Sequence, residues 1–206
     1  MPQSPAAAAR QILVLLQEVM AARTGAQAKL NKVVEIIGQS LSSEVCSIYL
    51  VREGVLELFA TRGLKQEAVH VTRMAMGEGL VGLIATNVET LNLDEAASHP
   101  DYSYRPETGE ELFHSFAGVP IVRRERAIGV LCVQHVEPRR YEEVEIEALQ
   151  TVAMVLSELI ANAELADDHP GDMRVQETGS NIMTGLQLVM GMARGHVVFH
   201  QPRIHI

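Results

Sequence analysis

Val45-Cys46-Ser47-Ile48-Tyr49-Leu50-Val51, then Arg52-Glu53-Gly54, then Val55-Leu56-Glu57-Leu58-Phe59-Ala60-Thr61, is the stretch on which the fold turns. Both outer segments are rich in β-branched and apolar residues, and a short glycine-bearing turn joins them. That pattern predicts a β-hairpin. Upstream the period is helical. Ile12, Leu16, Val19 and Met20, with Leu13 beside them, predict a helix over 6–22, and Thr24-Gly25 breaks it. Leu30, Val33, Val34, Ile37 and Leu41 then form one stripe of a second helix over 27–41.

Downstream, Ala68–Met74 reads as a third strand. Leu80 to Ala85, behind Gly77-Glu78-Gly79, reads as a short buried helix that ends at Asn87 and Leu91-Asn92-Leu93. Residues 94–113 form a polar loop, and a loop of that length inside a compact domain is usually functional. Strands follow at 115–123 and 127–136 around the charged tip Arg124-Glu125-Arg126, and a long helix runs from Glu142 to about Leu165. The order predicts an α+β fold. An antiparallel sheet carries the terminal helices on one face, and the small helix and long loop cover a pocket on the other. The expected organisation is a helix over 1–25, a sensor domain over 26–165, a linker over 166–180 and the start of a further domain over 181–206.

Composition narrows the function classes. A net charge of −9 argues against a phosphate-backbone binder, and 4% aromatics with no Trp supply poor stacking for nucleic acid. Ile12–Leu16 is too short to span a membrane and is followed by Glu18 rather than a cleavage site, so a cytoplasmic protein without membrane contact is expected. Cys46 and Cys132 sit inside apolar runs and read as buried thiols, not as a disulfide. No histidine pair has metal spacing, and no nucleophile has a base partner, so neither metal nor cofactor is expected.

Four pieces carry a family resemblance: Val45–Leu50, Gly77-Glu78-Gly79-Leu80-Val81-Gly82, Ser115-Phe116-Ala117-Gly118-Val119-Pro120-Ile121 and Ile128-Gly129-Val130-Leu131. In this order and spacing, residues 26–163 resemble GAF domains. The tail Gly191–Val198 resembles the nitrogen-related phosphoenolpyruvate–protein phosphotransferases, in which a GAF domain precedes a phosphohistidine domain and a phosphoenolpyruvate-binding barrel. The family's Gly-Gly-x-x-Ser-His motif and its barrel do not occur in this sequence, so the fragment is not expected to be an enzyme by itself.

The resemblance implies a regulatory effector site, with glutamine as the effector, together with downstream phosphotransferase domains and a phosphocarrier protein as partners. Mapped onto this chain, the pocket draws on Ser47, on Leu80 and Val81 at the start of the small helix, on the loop from Asp94 to His114, and on Ser115. Within the loop, Tyr102, Tyr104, Arg105, Glu107 and Thr108 gather donors, acceptors and both charges. An amino acid needs that combination: Arg105 for its carboxylate, Glu107 or Asp94 for its ammonium. A cyclic nucleotide is the rival ligand, and a dimerisation module with an empty pocket is the rival role. Methionine sulfoxide reduction is disfavoured because both cysteines lie in apolar strands. Finally, the last helix carries two adjacent stripes, one with Leu149, Ala153, Leu156 and Ile160, the other with Val152, Val155 and Leu159. That apolar arc of ~200° exceeds what a one-sided surface helix needs, so a homodimer through the terminal helices is expected.

Overall fold

A computed structural model describes residues 4–103, 108 and 113–167. Helix α1 spans Pro5–Ala21: the Ser4 hydroxyl accepts the Ala7 amide at 3.3 Å, and Pro5 sits in the first turn. There its missing N–H is no loss. The helix buries Ala8, Ala9, Ile12, Leu16 and Val19, and α2 (Ala26–Ser40) buries Leu30, Val33, Val34 and Ile37 along the expected stripe.

Six strands then form one antiparallel sheet in the order β3-β2-β1-β6-β5-β4. They are β1 Val45–Arg52, β2 Val55–Arg62, β3 Arg73–Ala75, β4 Leu91–Leu93, β5 Ser115–Arg123 and β6 Arg126–His135. Both long hairpins close on two-residue tips with φ positive at each position: Glu53 and Gly54 at 50° and 81°, Arg124 and Glu125 at 49° and 63°. That geometry matches the right-handed twist of the flanking strands. Helix α3 (Gly79–Asn87) follows β3, and α4 (Glu143–Asp167) closes the described region. At its start the Glu145 carboxylate accepts the Glu142 amide at 2.8 Å, a side chain reaching back to cap its own helix.

The sheet separates two environments. Helix α2 lies on β1 and β2, α4 lies mainly on β5, and α1 packs outside on α2 and α4. Helix α3 packs chiefly on β6 and β5. Side-chain parity distinguishes the faces. A Cβ on Gly118 would meet Ile84 of α3 and Phe116, whereas one on Gly129 would meet Leu50 and Ile121. Tyr49, Phe116, Val130 and Cys132 therefore face α3, in one core with Leu56, Leu58, Met74, Leu80, Val81 and Ile84.

Three expectations change. Only Arg73–Ala75 of the segment 68–74 is strand. Gln66–Ala68 is a 3₁₀ turn, and His70, at φ 63°, gives its amide to Leu58 O while Leu58 gives its own to Thr72 O. The apolar valines flanking His70 mimic a strand, but the left-handed residue between them breaks the ladder. Leu91–Leu93 is not a helix stop; it is the edge strand β4, paired with Phe116–Gly118. And the second stripe of α4 is largely interior: Val152 is fully buried and Val155 is 8% exposed, because α1 packs on α4 within the same chain. The surplus apolar surface of both helices is mostly spent on one another. The linker and the tail over 181–206 lie outside the described residues.

Candidate functional site

The α3 face of the sheet is the candidate site, and its floor begins with β1. Ser47 is fully buried on this face, and its hydroxyl shares a 2.8 Å hydrogen bond with that of Thr61, its cross-strand partner on β2. Next to it on the same face stands Tyr49, 1% exposed. On β6 the alternation continues through Val130 and Cys132 to Gln134, which is 7% exposed and whose Oε1 has no partner among the described residues. Thr72 Oγ1, at the β3 edge, is buried and likewise unpartnered. A buried acceptor left open is costly unless something fills it.

Helix α3 is set over this floor by glycines. Gly77 and Gly79 hold φ of 81° and 66°, conformations that L side chains resist. Gly82 lies so close to the preceding strand that a Cβ would stand 2.8 Å from Ala75 O. The Gly77 amide reaches Gly82 O at 3.0 Å, pinning the turn to the helix. The amides of Gly79, Leu80 and Val81 open the helix, where no intrahelical acceptor exists, and no described residue accepts from them. Ser103 comes from the covering segment against this helix start, its Cβ 3.4 Å from where one on Gly79 would sit. The root of that segment is fixed by the Ala96 amide to His114 O and by Glu95 Oε2 to His114 Nδ1 at 2.8 Å, and the His114 amide reaches His135 O on β6.

The expected site residues divide. Leu80 and Val81 are buried in the core beneath α3, Tyr102 packs against that core, and Thr108 is 2% exposed. Asp94 is exposed in the bend after β4. Tyr104, Arg105 and Glu107 lie outside the described residues. Ser115 requires a correction. It is fully buried, but it pairs with His135 one residue out of phase with Phe116, so it faces the helices and not α3. There it lies near the phenol of Tyr141, whose hydroxyl shares a 3.0 Å bond with Ser43. Burial pushes that phenol up to about 12, partly offset by the Ser43 bond. Gln134 is the residue that sequence reading missed. Its signal was the period-two run Val130, Cys132, Gln134 ending on a polar side chain.

Two further features bear on chemistry. Cys46 and Cys132 are both buried and free, and they occupy opposite faces of the sheet. Burial drives the Cys46 thiol far above its ordinary value, against a weaker pull from Arg62, so it has no thiolate character. No group of three metal-ligating side chains occurs among the described residues, and no described helix is long and apolar enough to cross a membrane. A half-open cleft of about 420 Å³ lies away from the candidate site. It is bounded by the first turns of α1, the end of α2, and Arg139 with Glu145. Its polar wall is already engaged: Arg139 holds both oxygens of Glu145 at 2.7 and 2.8 Å and stacks on Tyr141.

The comparisons agree with this geometry. The family model described as "GAF domain" matches residues 25–160. A curated protein of Escherichia coli (strain K12), "Phosphoenolpyruvate-dependent phosphotransferase system", is 37% identical over 138 residues, covering 66% of this chain and 18% of that one. The chain thus spans less than a fifth of that relative. The GAF domain of a phosphoenolpyruvate-protein phosphotransferase from Coxiella burnetii superposes with a TM-score of 0.75 at 35% identity, covering 80% of this chain and 99% of that structure. A free methionine-R-sulfoxide reductase from Neisseria meningitidis, solved with its substrate, reaches 0.70 at 23% identity over 81% and 96% of the two chains, a likeness of fold alone. With a family model matching residues 25–160 and a GAF domain structure superposing over 80% of the chain, the chain belongs to the GAF domain family.

Proposed function

We propose that this domain is the regulatory small-molecule sensor of a phosphoenolpyruvate-dependent phosphotransferase in the cytoplasm, and that its effector is a free amino acid, glutamine first. The observation that carries the reading is the pairing of opposite polar needs on the α3 face. The helix start offers amides without a described acceptor, while Gln134 Oε1 on the sheet below is an acceptor without a donor. An amino acid has a carboxylate for the first and an ammonium or side-chain amide for the second. Arg105 and Glu107 complete the proposal as its charged contacts. Effector binding alters autophosphorylation by catalytic domains that the longer relatives carry, and the domain itself transfers no phosphate. Self-association through the terminal helices remains part of the proposal, with the exposed Met154 of α4, not Val155, as its contact.

Calorimetry with glutamine, glutamate, 2-oxoglutarate, cGMP and cAMP tests the reading. Glutamine is expected to bind, and Arg105→Ala, Glu107→Ala and Gln134→Ala each to weaken it by roughly tenfold to a hundredfold, the loss of one charge-assisted contact. Tight cGMP binding with no amino-acid response refutes it. A second reading, an empty pocket, draws on the close packing under α3, where a Cβ on Gly118 would lie 2.5 Å from Ile84 Cδ1. Silence toward every compound supports that alternative.

A further inference from the structure

The β5–β6 tip violates three local rules at once. Arg123 and Arg126 are direct cross-strand partners, and like charges placed opposite each other destabilise a hairpin. Between them, Arg124 and Glu125 occupy the two positive-φ positions at 49° and 63°, where Asn-Gly or Gly-Gly would sit without strain. None of Arg123, Arg124 and Arg126 forms a salt bridge or a side-chain hydrogen bond with a described residue, although the chain carries 26 acidic side chains. Arg124 and Arg126 are exposed. The register sets a fourth guanidinium nearby. Leu50 pairs with Gly129, so Arg52, two residues on, comes level with the tip, where it stacks over Phe59 at 5.3 Å. Ser42, Glu53, His70 and Val88 also hold positive φ, but the β5–β6 tip combines two such non-glycine residues with an opposed like-charged pair, and strain kept at an exposed site is a mark of use.

We infer that this arginine tip is a docking point for a carboxylate-rich protein surface. A guanidinium fork matches a carboxylate in two parallel bonds, and three such forks within four residues suit a compact cluster of acids on a folded partner. Three guanidiniums confined to one hairpin tip suit a compact acidic patch, whereas an extended polyanion such as nucleic acid or an anionic membrane would also lie against the rest of a chain whose net charge is −9. An anion seated between Arg123 and Arg126 relieves their repulsion, so binding and hairpin stability are linked.

The test uses the whole chain labelled with ¹⁵N and a short alanine-based helical peptide bearing glutamates along one face. A glutamine-substituted peptide is the control. Duplex DNA and phosphatidylserine vesicles are the rival probes. Amide shifts are expected at Val122–Ala127 and Arg52–Val55 with the glutamate peptide alone. The apparent affinity should fall about tenfold or more on raising salt from low to high, and vanish in Arg124→Glu/Arg126→Glu. Arg124→Lys/Arg126→Lys keeps the charge and removes the fork, and should bind several-fold more weakly than the native chain. Equal response to the glutamine control, undiminished binding by the reversed variant, or preference for DNA or vesicles overturns the inference. The two exposed positions make misfolding of these variants no obstacle, and unchanged shifts elsewhere in the spectrum verify the fold.

Discussion

Replacing Gly82 by Ala sets two effects of opposite sign against each other. In an exposed helix interior the change stabilises by about 1 kcal/mol, because glycine loses more backbone freedom on folding. Here the added Cβ would stand 2.8 Å from Ala75 O and 3.0 Å from both Gly77 C and Gly77 N, all of them backbone atoms. None can retreat cheaply. Ala75 is held to Val55 in the sheet, and the Gly77 amide is bonded to Gly82 O at 3.0 Å. Overpacking of this kind costs about 1–3 kcal/mol. Loss of the Gly77–Gly82 bond adds about 1 kcal/mol. The clash wins by about 1–3 kcal/mol, which lowers Tm by roughly 2–12 °C for a domain of this size. Thermal and urea unfolding of Gly82→Ala measure it. A variant more stable than the native chain would show that α3 is not seated tightly on β3, and the argument that glycines position its amino end would fail.

Tyr141 makes stability fall at high pH. Its phenol is held near 12 against an ordinary 10, so between those values the unfolded chain loses a proton that the folded chain keeps. The group's contribution is intact below pH 10 and drains away as pH rises through the folded value, by up to about 1.4 kcal/mol per pH unit. Urea unfolding at successive alkaline pH values should show this slope in the native chain and lose it in Tyr141→Phe. On α4, Val155→Glu places a carboxylate at a site 8% exposed and should destabilise by several kcal/mol or prevent folding, whereas Met154→Glu, 63% exposed, should leave Tm nearly unchanged. If the terminal helices dimerise, light scattering should report a shift to monomer in Met154→Glu; a chain that is monomeric throughout sinks that proposal.

What the sequence disclosed and what it hid follow from how local each decision is. The two long hairpins and the helices were legible because their apolar periods and turn residues act within a dozen positions. β3 and β4, three residues each, exist only because a neighbouring strand offers them a ladder. Nothing in Leu91-Asn92-Leu93 distinguishes an edge strand from a helix stop until β5 is beside it. Ser115 was misplaced for a related reason. From Ser115 to Ile121 every side chain is small or apolar, both faces of β5 are buried, and alternation is silent about which side each residue takes. Register alone decides it. The second stripe of α4 could be covered by α1 or by another copy, and periodicity cannot tell those apart.

The same parity argument bears on how an effector under α3 would be felt elsewhere. α3 rests chiefly on β6 and β5, while α2 lies on β1 and β2 and α4 covers the other side of β5. A single layer of strand therefore separates α3 from α4. Within that layer the contacts are unusually close: Gly118 admits the Ile84 side chain of α3 from one side, and Gly129 admits Leu50 and Ile121 from the other. Close-packed interiors resist compression and pass displacement on. Movement of α3 that displaces Ile84 from Gly118 thus bears on β5, and through β5 on α4. α4 in turn supports α1, which lies outside the family-matched residues 25–160 yet buries Ile12 and Leu16 almost completely. An effector that binds at the start of α3, as proposed, would therefore be felt at the α4–α1 pair through the glycine-bearing strand β5.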